Sequence, residues 1–166
     1  VRHFHASTLT TLVGDTHNLI RWSRQRWPHR LTRALDEARF DEFTAIYTPD
    51  ATAKTPGGLA SGREAVTAQA RRNHDPDTTI QHSVSNVMIT LTGDSATVHA
   101  NLIAAFTPGN AAGAYPPPSP DYVLSGLYRF DAARTPAGWQ LSHVETVPLW
   151  STGTPAVPAD RRAGND

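Results

Sequence analysis

The sequence predicts an α+β fold in which helices pack on the concave face of a curved antiparallel β-sheet. Three observations carry this reading. Apolar residues recur at helical spacing through residues 28–73, strand-like runs take over after Pro76, and Gly/Pro-rich turns divide those runs into two pairs. Helices grouped ahead of strands point to α+β rather than to an alternating parallel architecture.

Residues 1–15 carry scattered His and Thr without periodicity, including His3 and His5, and read as a loosely held leader. Residues 16–27 (THNLIRWSRQRW) suggest a short helix, with Thr16 as N-cap and Leu19, Ile20, Trp22 and Trp27 as apolar contacts. Pro28 then restarts the chain, because a proline at the first helical position forfeits no intrahelical hydrogen bond. Leu31, Ala34, Leu35 and Ala38 mark one face of a helix over 28–38. Phe40, Phe43, Ile46 and Tyr47 mark a second, short helix that ends at Thr48-Pro49-Asp50. Residues 51–61 are Gly/Pro-rich and receive no element, whereas GREAVTAQARRNHD reads as a third helix. Arg71 and Arg72 in its last turn complement the helix dipole.

Two strands follow at 79–92 and 95–107, joined at Gly93-Asp94 as a hairpin. A Pro/Gly/Ala stretch at 108–120 is a long loop, and 122–131 and 138–150 form the second strand pair. The expected organisation is a leader with its short helix at 1–27, one domain at 28–152, and a disordered tail at 153–166 that lacks an apolar face.

Composition narrows the function classes. A chain of 166 residues suits one domain with a real core. Its formal charge of zero gives no reason to expect nucleic acid or an anionic membrane as partner. The fourteen arginines against one lysine read as coding bias. Without cysteine there is no disulfide, thiolate nucleophile or cysteine-ligated metal. No apolar run approaches the roughly 20 residues of a membrane helix, and no secretory signal is evident, so a cytoplasmic protein is expected. His82, His99 and His143 fall on neighbouring strands, but without an HExxH or a helical ligand pair no metal is expected. Neither a G-x-S-x-G elbow nor a Gly-rich phosphate loop is present, and no cofactor is expected.

The run ALDEARFDEFTAIYTPDA, then GREAV, QHSVSNVMITLTGDSATV, GLYRF, and GW with a late Trp150 resembles SnoaL-like proteins of the nuclear-transport-factor-2-like superfamily. That group includes polyketide cyclases, and its wider relatives include scytalone dehydratase, ketosteroid isomerase and bile-acid dehydratases. The resemblance covers residues 28–152. It implies a cone-shaped pocket between sheet and helices, and frequent dimerisation. It also implies a catalytic acid at Asp36, in ALDEARFDEF, and a catalytic histidine at His82, in QHSVSN. One departure stands out: some of these enzymes carry a tyrosine five residues before the acid, where this chain has Leu31.

The residues themselves leave alternatives open. Ile80, His82 and Val84 share one strand face, while Val87, Ile89 and Leu91 have the opposite parity, so a β-bulge near Ser85-Asn86 is expected to reconcile them. An imidazole on that face suits proton transfer near neutral pH, or is a core histidine bonded to a carbonyl. Asp36 borders the Leu31–Leu35 stripe, either aimed into a pocket or exposed at a helix end. On the last strand His143 shares parity with Trp139, Leu141 and Glu145, and lines either the pocket or an outer surface. Tyr47 and Tyr128 are pocket phenols or core tyrosines. Tyr47, Asn86, Tyr128, His143 and Trp150 complete the candidate ligand contacts.

Two functional classes follow. One is a cofactor-independent cyclase, dehydratase or isomerase acting on a small apolar metabolite, with Asp36 and His82 moving protons beside a carbonyl. The other is a non-catalytic binding or assembly module. The first is preferred, with a homodimer through the sheet, because Thr97, His99, Asn101 and Ile103 face away from core-directed Val98, Leu102 and Phe106.

Overall fold

The computed structural model describes residues 27–109 and 113–155. The expected leader and nearly all of the expected 16–27 helix lie outside the described residues, as does the tail beyond Pro155. Helix α1 (Trp27–Asp36) leads through a 3₁₀ turn (Phe40–Glu42) into the single-turn α2 (Phe43–Ile46). A short hairpin, β1 (Tyr47–Thr55) and β2 (Gly58–Ser61), precedes α3 (Arg63–Asn73). Four long strands follow: β3 (Thr78–Thr92), β4 (Ser95–Pro108), β5 (Tyr122–Thr135) and β6 (Gly138–Gly153). The six strands form one open, curved sheet in the order β2-β1-β6-β5-β4-β3, with α1 packed against β3 and α3 against β1.

This is the expected α+β architecture, with three local corrections. The hairpin β1–β2 replaces the end of the second helix and the segment left without an element, so Tyr47 opens a strand. Its low-propensity sequence (YTPDATAKT) concealed it. Pairing on both sides supplies the ladder, and Pro49 falls within the register shift between Tyr47 and Thr52, where its missing N–H interrupts nothing. Secondly, β1 runs parallel to β6, so the sheet is antiparallel in every pair but one. Thirdly, α1 stops at Asp36. Ala38 adopts φ 53°, and the amides of Ala38 and Arg39 return to the carbonyls of Leu35 and Ala34, which turns the chain out of the helix. At the other end, β6 continues through Gly153, one residue into the expected tail.

Bulges decide which side chains face inward. The expected bulge in β3 is present: the register skips between Ser85 and Met88, and Asn86 has φ 51°. Ile80, His82 and Val84 before it, and Ile89 and Leu91 after it, therefore all face the helices. Two more bulges lie in β6, at Ser142 and at Leu149. The second brings β6 so close to β5 that a Cβ on Gly126 would lie 2.6 Å from the Val147 carbonyl oxygen, a fit only glycine allows.

The core fills the space between the helices and the concave face. Phe43, Phe130, Leu31, Ile46, Leu141 and Val98 are its largest fully buried side chains. Phe43 is central: its ring meets Phe40 edge-on at 5.7 Å and Tyr47 at 5.1 Å. Among the described residues no helix is long and apolar enough to cross a membrane. Phe43→Ala should lower unfolding free energy by about 3–5 kcal/mol, as large-to-small aromatic changes in cores do. Urea denaturation measures it, and a loss within 1 kcal/mol of zero would show that Phe43 is not central to the core.

Candidate active site

A cavity of about 590 Å³ lies between the helices and the concave face of the sheet. Its walls are mostly apolar, with Leu31 and Leu35 from α1, Phe43 from α2, Val66 from α3, and Leu102 and Val144 from the sheet. A cavity of this size suits a small organic ligand, and the few polar groups within it set the chemistry.

The first of these groups is His82, which lines the wall contributed by β3. Asp36, the last residue of α1, sits directly behind it. Asp36 Oδ1 lies 2.5 Å from His82 Nδ1, and the His82 backbone N–H donates to Oδ1 and Oδ2 at 3.1 and 3.2 Å. A carboxylate only accepts, so this contact assigns the imidazole proton to Nδ1 and leaves Nε2 unprotonated in the neutral ring. The His82 side chain is 11% exposed and that of Asp36 23%. Asp36 does not itself line the cavity. The sequence reading had both side chains in the pocket; the structure brings them together in a file, with the histidine in front.

The second polar pair is Tyr47 and Tyr128, 3% and 4% exposed, both on the cavity wall. Their rings pack against Phe43 and Phe130, and neither hydroxyl makes a hydrogen bond to a described residue. Burial raises the pKa of both phenols well above the ordinary value. The neighbouring Tyr128 adds to the rise at Tyr47, and the Asp36 charge adds to it at Tyr128. Both therefore remain protonated donors at neutral pH.

Three expected ligand contacts lie elsewhere. The bulge at Ser142 inverts the parity of β6, so Leu141, Val144 and Thr146 face inward and His143 faces out, 2.7 Å from Thr52 Oγ1 through its Nδ1. The bulge at Leu149 leaves Trp150 54% exposed on the outer face, opposite Ser125. Asn86 is the exposed left-handed residue of the β3 bulge. His82 faces inward while His99 and His143 face outward, so that trio does not converge. Among the described residues no group of three His, Cys, Asp or Glu side chains could hold a metal ion. Sequence reasoning missed Thr146, hidden by the parity change, and the cavity mouth formed by Arg72, Asn73 and His74 at the end of α3.

The sequence profile of the SnoaL-like domain matches residues 21–145, most of the chain and every element from α1 to the middle of β6. The chain belongs to the SnoaL-like family. No curated protein matches this family member. Among solved structures it is similar to a candidate scytalone dehydratase of Novosphingobium aromaticivorans (20% identity, 88% of this chain and 95% of that one, TM-score 0.71). It is also similar to a hexachlorocyclohexane dehydrochlorinase (15% identity, 86% and 96%, TM-score 0.67). A nuclear-transport-factor-2-like protein of Salmonella enterica aligns over 83% and 96% at 13% identity, with a TM-score of 0.64. At these identities the likeness establishes the fold alone.

The buried phenols give a pH signature. Their folded-state pKa lies above the unfolded value of about 10, so above that value the unfolded chain binds fewer protons than the folded one. Stability is accordingly intact below the unfolded pKa and is lost as pH climbs toward the folded one. Alkaline titration followed by tyrosinate absorbance should show two of the four tyrosines ionising only with unfolding. Tyr47→Phe and Tyr128→Phe should each remove one from that late group; smooth ionisation of both phenols in the folded protein would contradict the burial argument.

Proposed function

We propose that this SnoaL-like protein is a cofactor-independent acid–base enzyme of the cyclase, dehydratase or isomerase type, acting on a small apolar carbonyl compound. The Asp36–His82 contact behind an apolar cavity is the observation that carries this reading. His82 Nε2 removes a proton from the carbon next to the substrate carbonyl. Asp36 holds the ring in the required tautomer and stabilises the imidazolium that forms; it orients the base rather than carrying a second proton. Tyr47 and Tyr128 donate hydrogen bonds to the carbonyl oxygen as negative charge builds there, from a mostly apolar wall.

The captured proton then has a limited set of destinations. Where the substrate carries a β,γ double bond, returning the proton to the γ-carbon of the dienolate completes an isomerisation. Delivered to a β-hydroxyl as the C–O bond breaks, it completes a dehydration with loss of water. If the enolate carbon instead attacks a second carbonyl, the proton goes to the new alkoxide and a ring closes. All three begin with the same deprotonation, so the same residues serve each.

A general base and its orienting partner typically contribute on the order of 10²–10⁴-fold each in rate. His82→Ala and Asp36→Asn should each cut turnover into that range while thermal unfolding and circular dichroism stay near wild type. Full activity in both variants would overturn the Asp36–His82 mechanism.

We also infer a homodimer through the outer sheet face. Ile103, Ser125 and Trp150 lie in one row across β4, β5 and β6, and Ile103 and Trp150 are 38% and 54% exposed. Lys54, Glu145 and Arg129 form an ion-paired border on the same face. An apolar strip with a charged rim is the usual make-up of a protein interface. Light scattering should report a dimer at micromolar concentration and a monomer for Ile103→Glu, whereas a wild-type monomer would rule the interface out.

A further inference from the structure

The proposed chemistry uses the interior of the cavity and leaves its mouth without a role. That mouth is formed by the C-terminal end of α3 and the start of β3, with Arg72, Asn73, His74, Asp75 and Thr78 among its lining residues. The arginines and the lysine elsewhere in the described protein are engaged. Arg30, Arg33 and Arg39 pair with Glu37 or Glu42, Arg129 and Lys54 with Glu145, and Arg134 with Asp94. Arg63 donates to the carbonyls of Thr44 and Tyr47, and Arg71 lies over the Phe40 ring at 5.2 Å. Among the described residues Arg72 is the one arginine or lysine with no ion pair, hydrogen bond or ring contact, and it stands where a ligand enters. The Asn73 amide is also without a hydrogen bond, and it abuts Gly57 so closely that a Cβ there would lie 2.2 Å from Nδ2. The lining contains a single carboxylate, Asp75, whose Oδ1 already accepts the Asp77 N–H at 3.0 Å.

We propose that Arg72 binds an anionic end group of the substrate, a carboxylate or comparable oxyanion, and so makes this pocket selective for acids with an apolar body. The guanidinium offers a planar fork of donors that matches a carboxylate, and the Asn73 amide adds a neutral donor beside it. The register of β3 sets the length of the ligand. Thr78 at the mouth and His82 inside are four residues apart on one strand face, roughly 13 Å at about 3.3 Å per residue. The substrate is thus an elongated molecule. Its reacting carbon sits at His82, its carbonyl at the phenols, and its acidic end at the mouth.

This inference rests on the cavity being a ligand site, and the experiment separates the two. The probes are 2-naphthylacetate and its neutral amide, titrated by calorimetry into wild type, Arg72→Gln, Arg72→Lys and Arg71→Gln. Arg71→Gln controls for a general effect of charge at the end of α3, since both arginines lie in its last turn. Wild type should bind the acid about tenfold more tightly than the amide, a difference of one decade in Kd. Arg72→Gln should abolish that preference while leaving amide affinity unchanged, Arg72→Lys should keep part of it, and Arg71→Gln should keep all of it. Added salt should weaken only the acid. Equal binding of acid and amide by wild type, or a preference that survives Arg72→Gln, would overturn the anion site and leave the cavity reading intact. Failure of both probes to bind at millimolar concentration would overturn the ligand pocket and the anion site together.

Discussion

Asp36 and His82 join the end of α1 to the outermost long strand, and the geometry of the cavity depends on that junction. Both carboxylate oxygens are engaged by one residue, through its backbone N–H and its ring Nδ1. The contact fixes where α1 crosses the sheet, because a helix anchored at its last residue cannot slide along its axis. It also fixes the imidazole on the cavity wall. A carboxylate at a helix C-terminus is opposed by the dipole, by roughly 0.3–1 kcal/mol at exposed sites. Its bonds to His82 offset that penalty, since hydrogen bonds to a charged group are among the stronger ones in proteins.

Much of this arrangement was legible in the sequence, for reasons that can be traced to particular residues. The Leu31–Leu35 stripe placed Asp36 at the border of a buried face. The parity change between Val84 and Ile89 announced a bulge, and that bulge left His82 facing inward. β6 gave no comparable warning. Its inward set changes parity at Ser142, but Trp139, Leu141 and His143 alternate so regularly that the unbulged reading was the simpler one. His143 was misplaced for that reason, and Trp150 for the same reason at Leu149. The hairpin β1–β2 was missed because Ala51, Ala53 and Ala60, among its buried residues, carry little strand propensity. The mouth was missed because it is assembled from the end of α3 and the start of β3, a tertiary juxtaposition with no local pattern.

The interior separates its polar groups by depth, and this matters for what each can do. In an apolar, water-poor cavity a hydrogen bond to developing charge is worth more than in water, provided the donor is fixed in place and stays protonated. Tyr47 and Tyr128 meet both conditions: their rings are packed against aromatic neighbours, and burial holds their protons. His82 is held differently: its ring is tied to the Asp36 carboxylate rather than packed among aromatic neighbours. The interior thus separates two buried phenols from one carboxylate-held imidazole, although all three side chains line the same walls.

Features with a cost to stability gather around this cavity. A carboxylate opposes the dipole of α1, Ala38 adopts a left-handed conformation that glycine would take more easily, and the two phenols on the cavity wall make no hydrogen bond to a described residue. Elsewhere the described chain obeys packing rules closely, with cleanly alternating burial along β4 and ion pairs along its charged faces. The Asp36 carboxylate and the left-handed Ala38 lie behind the cavity rather than in its lining, where they shape the end of α1 that holds the His82 ring.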